Sequence, residues 1–226
     1  MRYPNIAPAV FLSRPNRFVA QVLLDGQVVT VHVKNTGRCR ELLLPGAKVW
    51  LTRSDNPNRK TAYDLVAVEK GARLINMDAQ APNKVFGEWA AAGGFVPGLT
   101  LLKPECRHGD SRFDFYWEAS RRRGFVEVKG VTLERDGAVY FPDAPTERGI
   151  KHLRGLAACL EEGYEGAVCL VIQMAQADFF APNDLTHPAF GQALRQAAQA
   201  GVTVLARCCT VTPDSLTMAQ ASPLRL

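Results

Sequence analysis

No stretch of this chain is long and apolar enough to enter a bilayer. The longest uninterrupted run, Ala167 to Ile172, falls far short of the roughly 18 residues that a membrane-spanning helix needs. Pro4, Pro8 and Arg14 break up the apolar segment from Ala7 to Leu12, and no small-residue cleavage site follows. A secretory leader is therefore not expected, and a cytoplasmic protein is. Cysteine-based metal patterns are missing as well. Cys39, Cys106, Cys159, Cys169, Cys208 and Cys209 include no C-x-x-C pair, which excludes the usual structural zinc spacings. Free thiols fit a reducing compartment, and Cys159, Cys169 and Cys208 sit among Ala, Leu and Val as small buried apolar residues do. His32, His108, His152 and His187 are too scattered for a zinc site and are assigned structural or surface places. Internal repeats and low-complexity tracts are also absent.

What remains is an ordinary globular composition: 226 residues, 47% hydrophobic and 22% charged, enough for one large domain or two small ones. The net charge of +5 is unevenly placed. Up to Gln80 there are twelve Lys and Arg against six Asp and Glu, whereas the remainder carries fifteen against sixteen. A basic first part beside a near-neutral second part reads either as a solvated surface or as an attraction for a polyanion.

Residues 1–80 read as strands and turns. Arg17 to Leu24 and Gln27 to Val33 flank Asp25-Gly26, a two-residue hairpin signal. Ala47 to Thr52, Ala62 to Glu69 and Ala72 to Asn76 follow as further strands. Five short strands suit a small barrel, of which the oligonucleotide-binding barrel is the best-known form with a nucleic-acid role. Residues 81–226 change pattern. A helix capped by Asn83 runs to Gly93, and strands follow near Leu99 to Glu105, Arg112 to Glu118, Gly124 to Val131 and Val139 to Phe141. Thr146 caps a helix to about Glu162, with Ile150, Leu153, Ala157 and Leu160 as its buried face and Arg148, Lys151, His152 and Arg154 largely opposite. That basic face serves solvation or phosphate contact. A strand over Ala167 to Ala175, a helix over Ala189 to Ala200 and a strand over Val202 to Val211 complete an α/β sandwich on one mixed sheet. The β-branched residues of that last strand argue against a helix-turn-helix between Gln192 and Arg207.

The chemistry lies in Ser111-Arg112-Phe113-Asp114-Phe115 and, after a turn at Ser120 to Gly124, in Phe125-Val126-Glu127-Val128-Lys129. Alternation along a strand puts Glu127 and Lys129 on one face, and two neighbouring strands set Asp114 beside Glu127. Paired carboxylates suit Mg²⁺, or Mn²⁺ in its place, because such ions take oxygen ligands from one or two carboxylates together with a substrate phosphate. Asp114 and Glu127 are the expected metal ligands, and Lys129 the group that orients the attacking water and offsets developing charge. An E-x-K triplet in a strand is also a common surface ion pair.

The chain closely resembles the sugar fermentation stimulation protein A family over almost its whole length. The resemblance is carried by Asn35-Thr36-Gly37, Pro45-Gly46, Ser111 to Phe115, Glu127-Val128-Lys129 with Val131-Thr132-Leu133, Phe141-Pro142-Asp143-Ala144, and Thr146-Glu147-Arg148-Gly149 with Lys151-His152-Leu153. It implies an oligonucleotide-binding barrel followed by a nuclease-like domain of the PD-(D/E)XK class, with DNA binding; RNA is kept as a further candidate substrate beside it. It maps the catalytic positions onto Asp114, Glu127 and Lys129. It adds Glu88 on the preceding helix, alternatively a solvated residue, and more weakly Glu105. Gly130 departs from the family pattern, in which a serine commonly follows the lysine, and the class proline is replaced by Phe113. Arg38 and Arg40 belong either to phosphate contact or to a plain turn, and Arg121, Arg122 and Arg123 either grip a phosphate backbone or protect a strand tip. The competing functions are a Mg²⁺-dependent nuclease and a non-catalytic DNA-binding regulator. No membrane partner is expected, and no pattern specifies an oligomer.

Overall fold

The computed structural model describes residues 1–35 and 37–226; Thr36, in the Asn35-Thr36-Gly37 motif, lies outside the described residues. Six strands open the chain: β1 (Ile6–Asn16), β2 (Val19–Leu24), β3 (Gln27–Val33), β4 (Lys48–Arg53), β5 (Tyr63–Lys70) and β6 (Arg73–Asn76). β1 pairs with both β2 and β4, β4 with β5, and a short parallel pairing of His32 with Asp64 and Val33 with Leu65 joins β3 to β5. That pairing closes a ring of β1 to β5 around Phe11, Val22, Val31, Val49 and Leu65, all nearly sealed from solvent. The five-stranded barrel is thus present with one change of membership. The expected strand Ala72 to Asn76 exists as β6 but hangs on β5 outside the ring, and the ring's first member is β1. Pro8 obscures β1 in the sequence, yet it sits opposite Trp50 of β4, while pairing to β2 starts only at Val10. Its missing N–H therefore falls where no second neighbour asks for it.

Helix α1 (Ala81–Ala91) leads into the second unit, followed by β7 (Leu99–His108), β8 (Ser111–Ala119), β9 (Arg122–Val131), β10 (Leu133–Arg135), β11 (Ala138–Phe141), α2 (Glu147–Glu161), β12 (Glu165–Ile172), β13 (Phe180–Pro182), α3 (Pro188–Ala200), β14 (Thr203–Thr212) and β15 (Ser215–Ala221). The main sheet runs β15-β14-β12-β9-β8-β7, with β12 parallel to both β9 and β14 and the outer pairs antiparallel. α1 packs on one face with Val85 and Phe86 against Phe115, Val126 and Val128. α2 and α3 cover the other with Ile150, Leu153, Phe190 and Leu194 against Phe113, Phe125 and Leu170. β12 is buried on both faces, which is why it reads as an unbroken apolar run. Among the described residues no helix is long and apolar enough to cross a membrane.

Two expectations about the helices need correction. α1 begins at Ala81 with no side-chain cap and with Pro82 in its first turn, so Asn83 lies inside the helix and its amide is free for another task. On α2, Thr146 does cap, its hydroxyl accepting from Gly149 N–H at 3.1 Å. The buried face, however, runs through Gly149, Ile150, His152, Leu153, Leu156 and Cys159, so His152 faces inward.

A buried polar cluster welds barrel to sheet. Gln173, just past β12, donates to Asn76 Oδ1 at 2.8 Å and to the Asp78 carbonyl at 3.0 Å. Asn76 donates to Tyr3 Oη at 3.0 Å, and Lys34 reaches Asp78 at 3.2 Å. Gly130 explains itself here: a Cβ on it would lie 2.5 Å from Gln173 Oε1 and 2.7 Å from Pro82 Cγ. Gln173 is pinned by its two bonds and Pro82 by its helix, so the serine common at this place in the family does not fit. Gly130→Ser is expected to lower stability by about 1–3 kcal/mol, the usual cost of overpacking, measured as a lower thermal midpoint.

Candidate active site

Across the sheet, the register that pairs Pro104 with Phe115 and Phe115 with Val126 would next align Glu105, Asp114 and Glu127. The ladder breaks at this row. Glu105 takes a left-handed φ of 53°, and its exposed carboxylate turns to Arg112. Pairing of β8 with β9 stops at Phe115 and Val126. The side chain of Asp114 fills the gap: Oδ2 accepts the Val128 N–H at 2.7 Å and Oδ1 accepts from Asn83 Nδ2 at 2.8 Å. Asn83, read from sequence as a cap, is thus the residue by which α1 holds the first acid.

Glu127 is 2% exposed. Its Oε1 is engaged by Lys129 Nζ and by His152 Nδ1 from α2. Arg148, one turn earlier on α2, donates from Nε to His152 Nε2 at 3.4 Å. Since Nε2 accepts, the network assigns the imidazole proton to Nδ1, which donates it to Glu127. Glu127 Oε2 is buried and has no hydrogen-bond partner among the described residues. A buried carboxylate oxygen left bare is costly unless a cation or donor joins it.

The two acids are shifted in opposite directions. Burial first, then the charge of Glu127, raises Asp114 above the ordinary aspartate value, against the Val128 and Asn83 hydrogen bonds and the Lys129 charge. Burial alone would raise Glu127 too, but the His152 hydrogen bond and the Lys129 ammonium outweigh it and hold that carboxyl below the ordinary glutamate value. The signs follow from linkage. Ionised Glu127 contributes stability above its unfolded value, lost as pH falls through its lowered folded value. Asp114 contributes only below its unfolded value, and that contribution is lost as pH rises through its raised folded value. In EDTA at neutral pH, Asp114→Asn is therefore expected to raise the thermal midpoint by a few degrees. The gain should vanish in acid, where wild-type Asp114 is itself protonated; a scan of midpoint against pH for both proteins checks it.

The remaining candidates scatter. Glu88 is exposed on α1 and forms an ion pair with the Met1 ammonium at 2.6 Å. With Glu105 and Asp114 it lines a surface depression of about 490 Å³. Arg121, Arg122 and Arg123 occupy the far end of the β8–β9 hairpin, where Arg123 pairs with Glu118 and Arg122 with Ala119, four and five residues or roughly 13–17 Å of strand from Asp114. There Arg122 pairs with Glu165 at 2.5 Å and Arg123 stacks on Tyr164 at 4.5 Å, so the triplet does not directly border the acids. Arg148 borders Glu127 through His152, and Lys151 is exposed on the same helix. Arg38 and Arg40 lie on the barrel loop, whose backbone N–H at Arg38 is held by Asp143 Oδ2 at 3.0 Å. Sequence reasoning missed His152 because the stripe was drawn through Ala157 and Leu160; drawn through Leu156 and Cys159, at steps of four and three, it includes His152.

Comparison with known proteins bears on both units. Residues 12–77 match the family model described as the SfsA N-terminal OB domain, and residues 80–215 match the sugar fermentation stimulation protein RE domain. A sugar fermentation stimulation protein homolog of Desulfitobacterium hafniense is 57% identical over 216 residues, covering 96% of this chain and 94% of that one. One of Ruminiclostridium cellulolyticum is 49% identical over 226 residues, 100% of each chain. A solved structure, described as Pyrococcus furiosus SfsA in complex with Ca²⁺, superposes with a TM-score of 0.90 at 25% identity, covering 100% of this chain and 98% of that one.

Proposed function

The chain belongs to the sugar fermentation stimulation protein family, and from that premise we propose that it binds nucleic acid through its barrel and hydrolyses phosphodiester bonds at Asp114, Glu127 and Lys129. The site residues fit a divalent cation. The carrying observation is Glu127 Oε2, a buried, unpartnered anionic oxygen beside the raised carboxyl of Asp114. Hard oxygen donors of this kind suit Mg²⁺ or Mn²⁺, and the Ca²⁺ described with the archaeal relative is the same class of ion. Asp114 and Glu127 would hold the ion, as they do in the PD-(D/E)XK nucleases that this strand pair resembles. Bound there, it supplies neutralisation of the scissile phosphate and acidifies water.

The chain's own groups do the rest. Asn83 and the Val128 N–H fix the direction of Asp114. His152 holds Glu127 Oε1, which leaves the buried Oε2 free to receive the ion. Lys129 shares Oε1 and is the nearest ammonium to Asp114 and Glu127; once a cation takes up part of the Glu127 charge, Lys129 can orient the attacking water and meet the developing negative charge.

The test is direct. Wild-type, Asp114→Ala and Lys129→Ala proteins are incubated with single-stranded DNA, duplex DNA and RNA in Mg²⁺, Mn²⁺ or EDTA. Cutting that needs both the metal and both residues supports the enzyme. Two observations favour a second reading: Lys129 is already committed to Glu127, and the barrel's arginines line a cavity that does not include the acids. If all three proteins bind alike and none cuts, the chain is a non-catalytic DNA-binding regulator. In either case affinity should fall with salt, since phosphate contacts release counterions.

A further inference from the structure

The basic excess of the barrel converges on a single cavity of about 470 Å³ whose walls include Arg14, Arg17, Arg38, Arg40, Leu43 and Ala144. Arg14 is its frame. Its guanidinium donates to four backbone carbonyls, those of Asn35 at 2.7 Å, Gly37 at 3.0 Å, Arg38 at 2.8 Å and Arg17 at 2.8 Å. These acceptors are neutral, so they anchor the side chain and leave its charge uncancelled. Arg17, Arg38 and Arg40 are exposed at the rim. Among the described residues, the arginine ion pairs fall elsewhere, on Arg2, Arg59, Arg112, Arg122 and Arg195. Two acids adjoin the cavity, Glu41 and Asp143; Asp143 accepts the Arg38 backbone N–H at 3.0 Å and so shapes the loop.

We infer that this cavity seats the phosphorylated terminal nucleotide of a nucleic-acid strand. The inference rests on the nucleic-acid reading above and deepens it. An internal phosphodiester brings one negative charge, whereas a terminal phosphomonoester brings about −1.5 to −2 at neutral pH, the better match to four guanidinium groups around one hollow. The volume lies in the range of sites that take a whole small molecule, and Leu43 and Ala144 give the sugar and base an apolar wall. Gly37 lines both this cavity and a second cleft of about 170 Å³ whose lining also includes Gly130 and Gln173.

Fluorescence anisotropy in EDTA separates this inference from catalysis. Single-stranded oligonucleotides carrying a 5′-phosphate, a 3′-phosphate or hydroxyl ends are titrated with wild-type, Arg17→Ala and Arg40→Ala proteins; Arg14 is left intact because it frames the loop. One phosphorylated end should bind about tenfold tighter than hydroxyl ends or better, a difference of roughly 1.4 kcal/mol. Each variant should lose that preference, its affinity for the phosphorylated strand falling about tenfold further than its affinity for the hydroxyl-ended strand. Equal binding of all three strands overturns the inference. So does an equal loss for every strand in the variants, which marks ordinary diester contacts. AMP that binds in an Arg40-dependent way without displacing the phosphorylated strand overturns it in favour of a free nucleotide. Retained end preference in a protein that never cuts would discard the nuclease reading and leave this one standing.

Discussion

Glu127→Gln is expected to abolish divalent-cation binding and to lower metal-dependent cleavage by at least about 10³-fold, the scale seen when a central catalytic group is removed. Glutamine keeps the shape of the side chain, and its Oε1 can still accept from His152 Nδ1. What disappears is the charge and the bare oxygen, since an amide nitrogen replaces Oε2. The protein should stay folded. Its metal-free thermal midpoint should fall at neutral pH, because the ionised Glu127 that His152 and Lys129 favour contributes stability there. This is opposite in sign to the gain expected for Asp114→Asn, whose carboxyl is raised. Two isosteric changes a few ångströms apart, with opposite effects on stability and a shared loss of metal binding, would be hard to obtain from a pair of structural acids. Calorimetric titration with Mn²⁺ and thermal denaturation in EDTA read both.

His152→Leu should weaken cation binding by about 10–100-fold, the usual effect of removing a residue that orients a metal ligand. Leucine fills the space but leaves Glu127 Oε1 with Lys129 alone, so the carboxylate is free to rotate and no longer presents one fixed bare oxygen. His152→Asn supplies an N–H in place of Nδ1 and should recover part of the affinity. A purely packing role for His152 predicts the reverse order, with leucine harmless and asparagine costly in this buried place. Mn²⁺ affinity compared with thermal midpoint for the two variants decides between them.

The unequal legibility of these residues has physical causes. Asp114, Glu127 and Lys129 stood out because strand alternation is a local rule: Val126 and Val128 had to enter the core, which turned Glu127 and Lys129 the other way. The barrel was legible through Asp25-Gly26 and the alternating strands around it, and the mixed sheet through the unbroken apolar run of β12. β1 was not, since Pro8 reads as a break until one knows that only one neighbour pairs with it there. β15 also went unread, because its outer residues are exposed and its signal is weak. Asn83 and His152 are 31 and 25 residues from the acids they hold, and no local pattern announces a contact at that range. Arg121 to Arg123 lie at the hairpin tip, four or more strand residues from Asp114, a separation that follows from the register and not from their closeness to the site in sequence.

Asp114 and Glu127 must serve one cation for phosphodiester hydrolysis to occur here as proposed. A crystal of the protein soaked in Mn²⁺, with anomalous density collected at the manganese edge, tests it most directly. A peak in coordination contact with both Glu127 Oε2 and Asp114, with Lys129 alongside, is the predicted result. A peak in the depression between Glu88 and Glu105 that leaves Glu127 untouched, or no peak at all beside a still-bare Oε2, would contradict it.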